Sequence, residues 1–163
     1  MRYAILVLIG LPGLGLFYFI FFPLTVYPVY FLLGLFYEIT LVGSSIFTTN
    51  LRIDIIGPCI AGSAYSLLLI LNLATPNIKI NKRLKMIAIS FLILLFLNIM
   101  RIFLLSILAM KNLVYFNLVH MLFWYVLSIV FVVAIWFFLV KRFKVKEIPF
   151  YSDLKTLHRL TKR

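Results

Sequence analysis

The sequence predicts an all-α membrane protein, a polytopic bundle of about five helical spans. Hydrophobic residues make up 65% of the 163 residues and charged residues only 12%, whereas a soluble domain contains about 25% charged residues. The mean hydropathy is +1.17. The apolar residues are grouped into runs that reach about 20 residues, the length that a helix needs to cross a bilayer. The single cysteine excludes a disulfide within the chain.

Polar or proline-containing segments separate the apolar runs and define the predicted spans. Pro23 and Pro28 are expected to bracket a tight connection between the first two spans. Residues 48–56 alternate apolar with charged side chains, which predicts a short extended segment at the membrane surface. The predicted spans are residues 3–22, 29–47, 57–74, 86–110 and 113–140.

The positive charges predict how the chain is oriented. Residues 1–140 are predicted to form one transmembrane bundle and residues 141–163 a basic tail. Of the sixteen Lys and Arg residues, eight lie in that tail and four in the 75–85 loop, so both segments are expected in the cytoplasm. The net charge of +12 is thereby explained by topology, and no nucleic-acid partner is expected. Five spans leave the start of the chain outside, with Arg2 opposite the other cations.

Three reactive or cationic side chains are predicted at one depth near the outer side, on three different spans. They are Cys59, Arg101 and His120, the last two about 10–15 Å below the outer helix ends. An arginine within a span costs about 2.5–3.5 kcal/mol to insert, so Arg101 indicates function by default. Asn98 precedes it by three residues and shares its helical face.

The neighbours of Cys59 favour a reactive thiol. Gly57 and Pro58 predict a helix start, which places Cys59 in the first turn, where free N–H groups and a nearby cation lower the pKa of a thiol. The alternative, a small buried hydrophobic residue, stays open. Glu38 is expected inside the second span, either paired with Arg101 or His120 or lining a polar cavity.

Three blocks of residues, in this order, resemble the exosortase/archaeosortase family of membrane cysteine transpeptidases. The first is Pro58-Cys59-Ile60-Ala61-Gly62-Ser63 and the second is Leu97-Asn98-Ile99-Met100-Arg101-Ile102. The third is His120, early in the following span. The resemblance covers residues 48–136 and identifies the chain as a compact member with mainly the catalytic core. The short length and the Ala-Gly-Ser block favour the archaeal branch.

The resemblance implies an activity and a role for each residue. Family members cleave exported proteins near a C-terminal sorting motif, which precedes a transmembrane helix and a basic cluster, and several transfer the new C-terminus to a lipid or another acceptor. Cys59 would be the nucleophile, His120 the general acid and base, and Arg101 the group that stabilises the oxyanion. Asn98 would orient Arg101 or donate a second hydrogen bond. The expected location is the plasma membrane, with the active site toward the outer face.

Two rival classes remain open from the sequence. A non-catalytic membrane scaffold, or a small subunit of a transport or assembly complex, would use the buried polar groups as a structural network. A different membrane hydrolase is disfavoured because the sequence has no His-Glu-x-x-His metal motif and no convincing serine nucleophile. No metal or other cofactor is expected. Whether the Cys59, Arg101 and His120 side chains converge within hydrogen-bond or near-contact reach distinguishes the scaffold from the transpeptidase.

Overall fold

The chain folds into a helical bundle with a small antiparallel sheet at one end. The computed structural model describes residues 2–49, 51–75, 78–111 and 114–145; the predicted tail beyond Val145 lies outside them. In chain order the elements are α1 Arg2–Gly34, β1 Ile39–Val42, β2 Ser45–Thr48, β3 Arg52–Asp54, a 3-10 turn Gly57–Ile60, α2 Gly62–Ala74, α3 Ile80–Met110, α4 Phe116–Leu122, a π-helical turn Phe123–Leu127, and α5 Ser128–Arg142.

The structure contains fewer candidate membrane spans than the five predicted. Residues Gly15–Gly34 of α1 and the whole of α3 are long and apolar enough to cross a membrane. A third span results if Phe116–Val126 and Ser128–Arg142, which are bent by 44° against each other, cross as one unit. Helix α2 has 13 residues, fewer than the about 20 that a crossing needs.

The predicted second span, residues 29–47, is wrong, and with it the prediction of a purely α-helical fold. Helix α1 continues through Pro23 and Pro28 to Gly34, because transmembrane helices tolerate proline where neighbouring groups satisfy the freed carbonyls. The segment that follows is extended: β1 pairs with β2 and β2 pairs with β3, each antiparallel. The third strand falls inside the extended segment predicted for residues 48–56.

The β1–β2 hairpin has a local cause in the sequence. Ile39, Thr40 and Val42 are β-branched residues that favour strands. A two-residue turn follows, and its first residue, Gly43, has a φ of +63°. Such tight turns match the twist of a hairpin only with positive φ, which glycine adopts without strain. The hydropathy of the segment resembles that of a membrane helix, but the turn and the strand formers decide its conformation.

Aromatic packing joins the first three helices. The ring of Tyr65 in α2 stacks on Phe21 of α1 at a centroid distance of 3.7 Å. Phe91 of α3 meets Tyr65 edge-on at 5.3 Å and Phe21 at 5.8 Å. Farther along, Phe36 lies 6.2 Å from Phe103 of α3. Phe17 also lies 5.8 Å from Phe91, so these aromatic contacts hold α1, α2 and α3 together.

The basic segment predicted as a loop at residues 75–85 extends into helix α3. That helix begins at Ile80, so three of the four cations of the segment, Lys82, Arg83 and Lys85, lie in its first turns. Arg83 anchors the segment by donating hydrogen bonds to the carbonyls of Leu73 at 3.4 Å and Thr75 at 2.8 Å. The orientation of the start of the chain, with Arg2 outside, stays a prediction.

Substitution of Gly62 by alanine should destabilise the protein by about 1–3 kcal/mol, the range for overpacking a core. A Cβ at Gly62 would lie 3.0 Å from the ring of Tyr18, which also packs against Gly57. The measurement is the thermal unfolding midpoint in detergent. Gly15→Ala is the matched control, because a Cβ there meets nothing within 4 Å. Equal midpoints for the two variants would show that the Tyr18 ring is not held tightly.

Candidate active site

The three side chains predicted at one depth line a single cavity. Its volume is about 340 Å³, and Cys59, Arg101 and His120 all contribute to its surface. The wall on one side is the β3 segment, and the opposite walls are α3 and α4. The other lining residues are Leu51, Arg52, Ile53, Asp54, Ile55, Ile56, Ile102, Leu105, Ser106, Ala109, Phe116 and Trp124.

Cys59 lies in the 3-10 turn and not, as predicted, in the first turn of the following helix. The 3-10 turn begins at Gly57, with Pro58 next in the chain. Ala61 follows the turn as its C-terminal cap and has a φ of 59°. This left-handed residue separates the turn from α2 and is uncommon for a side chain with a Cβ. The Cys59 N–H is already used in a 2.8 Å hydrogen bond to the Ile56 carbonyl. The predicted effect of the α2 N-terminus on the thiol therefore loses its geometric basis.

Asn98 fixes the position of Cys59 from α3. Its Nδ2 donates a 2.8 Å hydrogen bond to the main-chain carbonyl of Cys59. Asn98 itself is buried, with 4% of its surface exposed, and a hydrogen bond in such surroundings is costly to lose. The structure thus gives Asn98 a direct link to the cysteine turn, and its predicted action on Arg101 stays a prediction. Asn98 is a positioning residue for the turn.

Arg101 is buried beside that turn, one helical turn after Asn98. Only 7% of its surface is exposed, and it interacts electrostatically with Cys59. Its Nη1 donates a 3.4 Å hydrogen bond to Ser128 Oγ, and the Ser128 hydroxyl donates at 2.8 Å to the Phe123 carbonyl. The Nε of Arg101 has no hydrogen-bond partner among the described residues. One donor of the guanidinium therefore lacks a partner within the described part of the chain and is closed off from the surface.

His120 faces the cavity from α4, between two aromatic rings. Its imidazole stacks on Phe116 at a centroid distance of 5.6 Å and meets Trp124 edge-on at 6.0 Å. Both neighbours are one helical turn away, so the aromatic ladder fixes the ring on one face of the helix. The described residues form no hydrogen bond to its nitrogens, and the ring remains half-buried. Its nitrogens are thus left to the groups that enter the cavity.

Glu38 is not part of this site, which corrects the prediction of an acid inside a span. It lies exposed between α1 and β1 and lines a separate open groove of about 650 Å³. Neither Arg101 nor His120 lines that groove. The acid at the cavity itself is Asp54, on β3. Hydrogen bonds from Ser45 and Arg52 lower the pKa of Asp54, and Arg52 Nε lies 2.7 Å from its Oδ1.

Three residues at the site escaped the sequence analysis. Ser128 was hidden because a lone serine in an apolar run has no distinctive pattern, and its contact with Arg101 depends on how α3 and α5 cross. Phe116 and Trp124 flank His120 at four-residue spacing on each side, a pattern that could have indicated an aromatic cage for the imidazole. Trp124 lies in the π-helical turn Phe123–Leu127. Turns of this kind are often found at functional sites.

Comparisons with protein-family models, with curated proteins and with solved structures find no match to this chain. The site therefore has to be interpreted from its own geometry. Among the described residues, no group of three or more His, Cys, Asp or Glu side chains is placed to hold a metal ion. What the cavity offers is a thiol, an imidazole and a buried guanidinium at the end of a short strand.

Asn98→Leu should cost about 1–3 kcal/mol of stability, because the Cys59 carbonyl loses its partner, and should accelerate maleimide alkylation of Cys59. Alkylation reports this site alone, since the chain has one cysteine. Asn117→Leu, at an exposed position of α4, is the control. If both variants react at the wild-type rate and unfold at the wild-type midpoint, the hydrogen bond does not hold the turn.

Proposed function

We propose that this chain is a membrane-embedded cysteine peptidase and transpeptidase of the exosortase/archaeosortase type. It would cleave the C-terminal sorting tail of exported proteins through a thioester and transfer the new C-terminus to a lipid or another acceptor. The observation that carries the proposal is the shared cavity: Cys59, Arg101 and His120 come from three separate elements and line one space of about 340 Å³. A purely structural network would not require a thiol there.

The first half of the reaction forms a thioester. His120 accepts the Cys59 proton, and the sulfur attacks the scissile carbonyl carbon. The oxyanion that develops is stabilised by Arg101, whose charge is effective because water is largely excluded. When the tetrahedral intermediate collapses, the C–N bond breaks and the C–S bond remains. The imidazolium of His120 gives its proton to the departing amine, which leaves with the transmembrane tail of the substrate.

The second half releases the acyl group from the enzyme. An acceptor amine or a water molecule attacks the thioester carbonyl, and His120 takes the proton from the attacking group. The C–S bond breaks and the proton returns to the sulfur, which restores the Cys59 thiol. The product is an amide if an amine attacks and a carboxylic acid if water does. No oxidant, reductant or metal enters this balance.

The proposed location is the plasma membrane, with the cavity toward the outer face. The cationic segments lie at the opposite end of the bundle, and the excess of Lys and Arg marks the cytoplasmic side. A substrate helix in the bilayer would bring the preceding motif to the depth of Cys59. The partners in this proposal are membrane lipids and exported proteins whose C-terminal signal combines a motif, a transmembrane helix and a basic cluster.

Cys59→Ser should abolish cleavage of a tagged protein from the same genome that carries such a C-terminal tail, when the two are co-expressed. The wild type should shorten the substrate on a gel, because the thiolate is the only nucleophile in the proposal. Asn117→Leu is the matched control and should cleave normally. If Cys59→Ser cleaves at the wild-type rate, the thiol is a packing residue and the proposal fails. Failure of the wild type on every such protein of the genome favours the scaffold.

Arg101→Lys should lower kcat for the same substrate about 10²–10³-fold, the loss typical of an oxyanion-stabilising donor. Lysine retains the charge, so the bundle keeps its buried cation, but it cannot present a guanidinium edge between Ser128 and the cavity. KM should change little. The measurement is a cleavage time course at several substrate concentrations in membranes. A wild-type kcat for a variant that unfolds at the wild-type midpoint would remove Arg101 from the reaction.

A further inference from the structure

The third strand is an edge of the sheet, and its unpaired side borders the cavity. The strand order is β1-β2-β3, so β3 has a partner on one side only. Edge strands present free N–H and C=O groups to any extended chain that comes alongside. Every residue from Leu51 to Ile56 lines the cavity. The edge therefore opens toward Cys59, Arg101 and His120 rather than away from them.

The hydrogen bonds that flank β3 show which of its main-chain groups are free. Thr48 N–H donates to the Leu51 carbonyl at 2.9 Å, and Ile55 N–H donates to the Ser44 carbonyl at 3.0 Å. In an antiparallel ladder such bonded pairs alternate with non-bonded pairs. The main-chain N–H and C=O groups therefore point to β2 at Leu51, Ile53 and Ile55. The intervening residues, Arg52 and Asp54, direct theirs to the open edge.

A second, independent observation indicates a polar ligand in the same space. Arg101 is more than nine-tenths buried, lines the cavity, and leaves its Nε without a partner among the described residues. An unmet buried donor is costly, about 1–3 kcal/mol, and more for a charged group. The Arg101 side chain borders the cavity, so a peptide carbonyl that enters would be an acceptor for the guanidinium as well as for the free N–H groups of the β3 edge. Both features thus favour main-chain amides as the ligand.

We infer that the substrate binds as an extended peptide that adds to β3 as a fourth strand. Its main chain pairs with Arg52 and Asp54, and the direction of β3 carries its scissile carbonyl to Cys59 in the following turn. This inference rests on the proposed function and names its substrate conformation: an unfolded, strand-forming segment recognised largely through its backbone. The occupant is the substrate polypeptide, because the edge borders the same cavity as Cys59, Arg101 and His120.

Strand addition also determines how side chains of the substrate are recognised. Successive side chains of the added strand alternate in direction, and those on one side recur about every 6.6 Å. One set faces the α3 wall, where Ile102, Leu105 and Ala109 are apolar. The other set passes the charged pair Arg52 and Asp54. A sorting segment for this enzyme therefore alternates apolar residues with polar ones.

The test is disulfide cross-linking in a Cys59→Ala background, which has no other thiol and does not turn over. Asp54→Cys or Ile56→Cys is introduced on the edge, and single cysteines are placed at eight successive positions before the transmembrane helix of the tagged sorting-tail protein. A paired strand brings Cα atoms to about 5.5 Å, within disulfide range. Val42→Cys on β1, exposed to 64%, is the control for random collisions.

The expected result is a cross-link yield that peaks at every second substrate position, with the peaks moved by two positions between the Asp54→Cys and Ile56→Cys variants. Ile56→Cys leaves the Asp54 hydrogen bonds intact, so it also serves if the Asp54 variant unfolds. Yields with a three- to four-residue period, or equal to those of Val42→Cys, overturn the inference. Periodic cross-links without cleavage by the wild type preserve the docking mode and overturn the catalytic proposal. Cleavage by the wild type without periodic cross-links preserves the catalytic proposal and overturns the docking mode.

Discussion

A guanidinium buried in an apolar bundle is the constraint on which the site depends. Arg101 has 7% of its surface exposed, and no acid among the described residues forms a salt bridge with it. The charge is accommodated by the Ser128 hydroxyl, by the nearby Cys59 and by the dipoles of the cavity. Isolated charges in low dielectric need such polar surroundings. The crossing of α3 and α5 and the position of the cysteine turn are therefore linked through one side chain.

The sequence predicted the site better than the fold. The burial of Asn98 and Arg101 follows from helical periodicity, because the two residues share one face of a long apolar helix. Polar side chains on such a helix are costly to expose to lipid, so that face turns toward the bundle. Helix α3 was predicted from its long apolar run, whereas Gly57 and Pro58 begin a 3-10 turn and not the helix that they predicted. Whether His120 reaches the same cavity as Cys59 depends on tertiary packing. The sequence predicts that packing only through an assumed order of membrane spans.

The hairpin shows where hydropathy alone misleads. Residues 39–48 are apolar enough for a membrane helix, yet the Gly43 turn and the strand-forming residues give two paired strands. Strand β2 is paired on both sides, with β1 and with β3, whereas β1 and β3 each keep one free edge within the described residues. Apolar composition alone does not distinguish this pairing from the internal hydrogen bonds of a helix.

The shortness of α2 sets the thickness of membrane in which this architecture fits. At 1.5 Å per residue, its 13 residues cover about 20 Å, against about 30 Å for a typical hydrocarbon core. The described part of α1 and the whole of α3 are long enough to cross such a core, so a bilayer around this bundle would have to thin next to α2. The width of the bilayer would then decide how deep below the headgroups the cysteine lies.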